Sequence, residues 1–383
     1  MISTNGRGIL SLALFFLIVF LIATGAESVE ERHLGPPGGN ISAVCHLGYG
    51  ALVAGTIDGR LFYSADRAGV WVDVTPHCIH PDSRIEQIQL HAPTGDLYIA
   101  ARNMKHGFVI RAVRHPAGTA LFKWQTMLVG LPVRSVAVSD TIPPRLYVGT
   151  DDRLFYSVDG GEHWDITTFD FPDPQIESVL IDPDDPQVVY AGTWQRAFKS
   201  CDGGRKWRPV HTGMASDSDV FSLLFDHDHR LFAGTCGWAY MSLDSGASWR
   251  RIKSGLGGKR IHVLRLDAEG RVLAGTDNGL FRFQHEREQW TELIPGLVIY
   301  DIAVDDEGSA FCATDGSGVV RLTGDGAWST ANAGLVATSV LSVRHQGDAI
   351  LAGLAGQGAG GGLWRLEHTW CQVPLPTTGV DVT

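Results

Sequence analysis

Eight of the eleven tryptophans recur at a nearly fixed interval: Trp71, Trp124, Trp164, Trp207, Trp249, Trp290, Trp328 and Trp370, separated by 53, 40, 43, 42, 41, 38 and 42 residues. A period near 40 excludes helical and solenoid repeats of roughly 20–35 residues and falls in the range of β-propeller blades. Between the tryptophans, alternating apolar runs of four to six residues are punctuated by Gly, Asp and Pro turns, which are strand and hairpin signals. In one unit, Ile176 to Ile181 predicts an inner strand (A), Val188 to Thr193 a second (B) and Ala197 to Ser200 a third (C). A fourth (D) begins at Trp207. The ending of strand B recurs as Ala54-Gly55-Thr56, Val148-Gly149-Thr150, Ala191-Gly192-Thr193, Ala233-Gly234-Thr235 and Ala274-Gly275-Thr276, with weaker echoes at Ala100-Ala101, Ala313-Thr314 and Ala352-Gly353. The expectation is an all-β chain, a single β-propeller over residues 41–375 built from four-stranded antiparallel blades. Eight units predict eight blades; a seven-bladed ring with one unit outside it is the alternative.

Residues 1–26 carry an export pattern. Arg7 precedes an apolar run from Ile9 to Ala23, and Thr24-Gly25-Ala26 offers small residues for cleavage before Glu27. At 1.5 Å per residue the run reaches about 22 Å, short of the roughly 30 Å hydrocarbon core. A cleaved signal peptide is expected, with an uncleaved membrane tether through residues 9–23 as the alternative; either puts the propeller outside the cytoplasm. Residues 27–40 read as a linker and 376–383 as a tail. The formal charge of −11 argues against nucleic-acid or anionic-membrane binding. Six cysteines in an exported chain invite disulfides, but Cys45 and Cys371 map to strands too far apart and Cys201 and Cys236 to opposite faces. Mostly free, buried thiols are expected.

Ser157-Val158-Asp159-Gly160-Gly161-Glu162-His163-Trp164 and Ser200-Cys201-Asp202-Gly203-Gly204-Arg205-Lys206-Trp207 share the pattern Ser-x-Asp-Gly-Gly-x-x-Trp. Ser242-Leu243-Asp244-Ser245-Gly246-Ala247-Ser248-Trp249 departs by one glycine, and Ser64, Asp66 and Trp71 keep its frame. The pattern resembles the Asp-box, or BNR, repeat of sialidase-like propellers. An Asp accepting backbone N–H groups closes such a turn, glycine supplies its positive φ and the Trp supplies apolar area. The expected role is structural, in the C–D turn on the bottom rim.

Function is sought on the opposite face, where the B–C and D–A loops gather. Trp194 and Trp238 lie in B–C loops of adjacent units, outside the structural tryptophan register, with Arg196 beside the first and Asp217 and Asp219 in the loop between. Aromatics flanked by polar groups suit sugars or peptides; packing onto a neighbouring blade is the competing reading. Arg102, Asn103, Lys105 and His106 form a polar B–C loop, with Lys259-Arg260 on a later unit. Asp226-His227-Asp228-His229 has the composition of a metal site but falls in an A–B turn, where turn chemistry explains it. His77, Cys78, His80 and Asp82 form a weaker nominal cluster. No metal and no cofactor is expected, and Gly353 to Gly362 has no helix to make a dinucleotide loop.

The repeats also resemble those of the photosystem II stability/assembly factor group, and that resemblance implies a scaffold that holds a protein client during assembly of a membrane complex. The chain departs from it in having eight apparent units rather than seven and no dense arginine patch in the sequence. Resemblance to sialidases implies hydrolysis, but their Arg-Ile-Pro element is missing, and xyloglucanase-like enzymes use two propellers around a cleft. Asp151 with Asp217 or Asp219 could supply a carboxylate pair only at the roughly 5–9.5 Å separation such chemistry needs. The expectation is an exported, monomeric, non-enzymatic propeller that binds a protein client or glycan, with a glycoside hydrolase as the alternative.

Overall fold

The computed structural model describes residues 38–335 except 81, 104–105, 115–120, 168, 170–174, 216–217 and 253, together with four strands between 340 and 372. The expected leader, Lys105, Asp217 and the tail lie outside the described residues. Each unit folds as one four-stranded antiparallel sheet whose strands pair in chain order. In the unit dissected above, the strands are Ile176–Ile181, Val189–Thr193, Ala197–Ser200 and Arg208–Pro209. The inner strands of the first seven blades are Ile41–His46, Arg84–His91, Val133–Val138, Ile176–Ile181, Val220–Phe225, Ile261–Leu266 and Ile299–Val304.

The ring closes at seven blades, which corrects the expectation of eight. Trp249, 5% exposed, shows the inter-blade latch: its indole Nε1 donates to Val210 O at 2.7 Å and its backbone N to Thr212 O at 2.8 Å, both beyond the outer strand of blade 4. Trp71 of blade 1 makes the same latch to blade 7, donating to Ala331 O at 2.7 Å and Ala333 O at 2.8 Å. The inner strand of blade 1 is fixed there too, with Val44 N donating to Asp301 Oδ2 at 3.1 Å. The eighth sheet, Val340–Gln346, Ala349–Leu354, Gly362–Leu366 and Trp370–Gln372, is left outside the ring.

Two repeated motifs now have physical causes. The strand-B glycine admits the first inner-strand residue of the next blade: a Cβ on Gly55 would stand 2.5 Å from Ile85 Cγ2, and one on Gly234 2.5 Å from Ile261 Cγ2. The threonine after it closes the B–C loop, its Oγ1 donating to Arg196 O from Thr193 and to Trp238 O from Thr235 at 3.0 and 2.8 Å. On the bottom rim, Ser200 Oγ donates to Asp202 Oδ1 at 2.8 Å and accepts from Gly204 N at 2.9 Å, while Lys206 N donates to Asp202 at 2.9 Å. Equivalent bonds join Ser157 to Asp159, Ser242 to Asp244 and Ser64 to Asp66, each at 2.7 Å. Gly160, Gly161, Gly203, Gly204 and Gly246 all have positive φ. Trp164 and Trp207 are half-buried, whereas Trp328 is 45% exposed and does not enter the core. Of the described cysteines, all free, Cys78, Cys201 and Cys236 are exposed; the expectation of burial holds for Cys312 alone, with Cys45 half-buried.

Candidate functional site

Every inner strand of the ring skips one residue in its pairing, at the same place. The ladder jumps from Ile41 to Ala43, Ile85 to Gln87, Val133 to Ser135, Ile176 to Ser178, Val220 to Ser222, Ile261 to Val263 and Ile299 to Asp301. The skipped residues are Ser42, Glu86, Arg134, Glu177, Phe221, His262 and Tyr300. A β-bulge bends its strand and re-aims the extra side chain. All seven line the central cavity of about 650 Å3, at the end where the B–C loops gather. Behind them, polar side chains stitch inner strand to inner strand: Val136 N donates to Gln87 Oε1 at 2.9 Å, Ser178 Oγ to Val220 O at 3.1 Å and Leu264 N to Ser222 Oγ at 2.9 Å. The mouth is therefore held on a cross-linked frame.

Blades 2 to 4 present a continuous chain of charges. Arg84 Nε lies 3.3 Å from Glu86 Oε2, and Arg102 Nε donates to Glu86 Oε1 at 2.7 Å. Arg102 Nη1 is 3.8 Å from Asp151 Oδ1, which also accepts from Arg134 Nε. Arg134 Nη1 donates to Glu177 Oε1 at 2.7 Å, and the Trp194 indole N–H donates to the same oxygen. Burial pushes the Glu177 carboxyl above its ordinary range, with the Arg134 charge opposing that shift. Charge-assisted bonds of this kind are individually strong and geometrically specific.

Blades 5 to 7 present planes. Phe221, His262 and Tyr300 follow one another, and the His262 and Tyr300 rings meet edge to face at 5.3 Å. Arg260 lies 4.6 Å over Phe221 and Arg84 4.7 Å over Tyr300. Between blades 7 and 2, Ser42 turns its hydroxyl to Ile85 O at 2.7 Å. Burial, then the charges of Arg260 and Arg84, lower His262 to about 4, so its imidazole is neutral at physiological pH.

The residues expected from the sequence are distributed unevenly around this mouth. Trp194 is 49% exposed with its indole N–H fixed by Glu177, and Arg102 belongs to the charge chain. Trp238 packs into the apolar cluster of blades 4 and 5, with Arg251 4.1 Å over its ring. Arg196 and Asp219 are half-buried, the former close enough for its charge to lower the pKa of His211. Asp151 lies between two guanidinium groups. The sequence reading missed Arg84, Glu86, Arg134, Glu177, Phe221 and Tyr300, and His262 with them; the signal was the second inner-strand position, compared across units.

On the bottom, Asp226 Oδ1 accepts from Asp228 N and Arg230 N at 3.0 and 2.9 Å, as turn chemistry requires. His229 stands between Asp182 and Asp184 of blade 4, each nitrogen 3.3 Å from a carboxylate. Among the described residues this is the one His/Asp group compact enough to hold a metal ion, and the imidazole already takes the place between the two carboxylates.

No family model and no curated protein matches the chain. Among solved structures, it is similar to the GH74 enzyme of Niastella koreensis at 17% identity and TM-score 0.69, covering 90% of this chain and 61% of that one. It is similar to the extracellular domain of a one component system from B. thetaiotaomicron at 17% identity and TM-score 0.57, covering 88% and 52%. The third is YCF48 bound to D1 peptide, at 14% identity and TM-score 0.53, covering 73% and 91%. The chain thus spans about half of that extracellular domain and less than two thirds of the GH74 enzyme. The fold shared with these structures is the β-propeller.

Proposed function

We propose that the protein is a non-enzymatic binding propeller, exported by its first 26 residues, that grips a segment of a protein client at the mouth of its channel. The carrying observation is the bulge ring. One backbone device is repeated seven times, yet it displays a different side chain on nearly every blade, whereas the glycine slots and bottom turns repeat the same chemistry. A surface diversified on an invariant frame is what recognition needs. YCF48, a propeller of similar fold, is known here with a bound peptide, which supports a protein client over a glycan.

The test is site-specific photocross-linking from position 194 in the native envelope, with position 328 on the outer edge of blade 7 as control. A client cross-linked from 194 alone, and lost when Glu177→Gln is added, supports the reading. Equal capture from both positions would remove the mouth from consideration.

Glycoside hydrolysis is the second reading, favoured by the raised Glu177 and by Arg134 holding both Glu177 and Asp151. Against it, Glu177 Oε1 already accepts from the Arg134 guanidinium and the Trp194 indole N–H, which leaves that oxygen no place for a leaving group. Cleavage of a chromogenic glycoside that disappears in Glu177→Gln would establish this reading.

A further inference from the structure

The charge chain of blades 2 to 4 satisfies itself, so what the mouth still asks of a ligand must be read from blades 5 to 7. Two carboxylates stand there without a guanidinium partner among the described residues. Asp277, in the B–C loop of blade 6, follows Thr276, which pairs with Ile261 next to His262, and Asp315, in the B–C loop of blade 7, follows Thr314, which pairs with Ile299 next to Tyr300; their charges act to raise the His262 and Tyr300 pKa values. Asp277 N donates to Arg260 O at 3.1 Å and Asp315 N to Val298 O at 3.1 Å, so both loops are tied to the strands that flank the mouth.

The aromatic faces beside these carboxylates accept planar cations, because the chain places its own there: Arg84 over Tyr300 and Arg260 over Phe221. Arg84 is neutralised by Glu86 at 3.3 Å, and His262 adds no positive charge at physiological pH. Arg260 is exposed and forms no ion pair among the described residues, so an incoming cation can displace it from Phe221. Phe221 and Tyr300 are half-buried, and carboxylates beside their ring faces favour a cation on both counts, by charge and by the ring quadrupole.

We infer that the blade 5–blade 7 sector is a subsite for a lysine or arginine side chain of the client, contacted by Asp277 and Asp315 and stacked against Phe221 or Tyr300. Trp194, across the mouth, takes a neighbouring apolar part of the same segment. This inference rests on the reading of the mouth as a protein-binding site.

The experiment uses the full chain and a set of extended nonapeptides that differ at one central position (Arg, Lys, Ala or Glu), read by fluorescence anisotropy. Arg and Lys peptides should bind at least tenfold more tightly than the Ala peptide, and the Glu peptide more weakly than it. Asp277→Asn with Asp315→Asn should abolish the preference, whereas Trp194→Ala should weaken every peptide alike; circular dichroism and melting curves confirm that each variant is folded. Preference for Glu, or a preference for Arg that survives the double variant, overturns the inference and leaves the binding site in place. Failure of every peptide to bind overturns the protein-binding reading itself.

Discussion

The bottom rim and the channel mouth are built by the same seven blades and solve opposite problems. At the bottom, four blades close their C–D turns with one set of bonds, Ser hydroxyl to Asp carboxylate to backbone N–H. At the mouth, seven blades share one bulge and carry six different side chains: serine, arginine, phenylalanine, histidine and tyrosine once each, and glutamate twice. Where a fold must be held, the repeats converge on one solution. Where the backbone device repeats and the side chain does not, stability is not choosing the residue. The comparison separates frame from surface within one chain.

The largest expected effect breaks the frame at its seam. Trp71 is 2% exposed and latches blade 1 to blade 7, so Trp71→Ala should cost about 3–5 kcal/mol, read by urea unfolding. Trp249→Ala, at the equivalent latch between blades 4 and 5, should cost a similar amount. A seam variant with no effect would contradict closure at seven blades.

The glycine slots come next. A Cβ on Gly192 would press on the backbone carbonyl of Val220 and on Ser178 Oγ, atoms that belong to two inner strands and have little freedom to move. Gly192→Ala should destabilise by about 1–3 kcal/mol through overpacking. An Ala stands at the corresponding place in blade 7, Ala313, opposite the first strand of blade 1. If Gly192→Ala is neutral, blade spacing is looser than the slot implies.

How much of this was legible in the sequence follows from the same division. The Trp spacing, the Ala-Gly-Thr endings and the Ser-x-Asp turns are repeated, and repetition made strands, blades and bottom rim readable; the strands of blade 4 lie where the pattern put them. Closure was not readable, because Asn332-Ala333-Gly334, which receives Trp71, has the same form as His211-Thr212-Gly213, which receives Trp249. Nothing local says which blade comes next. The mouth was half readable. Trp194 and Arg102 stood out as loop residues, but Arg134 and Glu177 occupy a strand position whose alternation looked ordinary, and a one-residue bulge leaves no mark on composition.

Acid should separate the two faces. Hydrogen bonds from Ser248, through hydroxyl and backbone N–H, and from Ser242 lower Asp244 to about 2, and similar bonds depress Asp66, Asp159 and Asp202. A carboxylate depressed on folding contributes stability that is present above its unfolded pKa, near 4, and is lost as pH falls through the folded value. Bottom-rim stability should therefore decline between about pH 4 and 2. Glu177 has the opposite sign: its pKa is raised by burial, so the native state binds a proton more readily than the unfolded chain, and protonation favours folding. Stability measured against pH for Asp244→Asn and Glu177→Gln should show a shallower acid decline in the first and a steeper one in the second. Parallel curves would erase the contrast.

The smallest effects on stability are expected at two exposed tryptophans, and they sharpen the comparison most. Trp328 is 45% exposed on the outer strand of blade 7, and Trp194 is 49% exposed at the mouth. Trp328→Ala and Trp194→Ala should each change stability by no more than about 0.5 kcal/mol, because neither ring fills an inter-blade space and Glu177 keeps Arg134 when Trp194 is lost. Only Trp194→Ala should change binding. If it instead cost as much as Trp71→Ala, the indole would belong to the frame, and the mouth would be a second structural rim rather than a surface set aside for a partner.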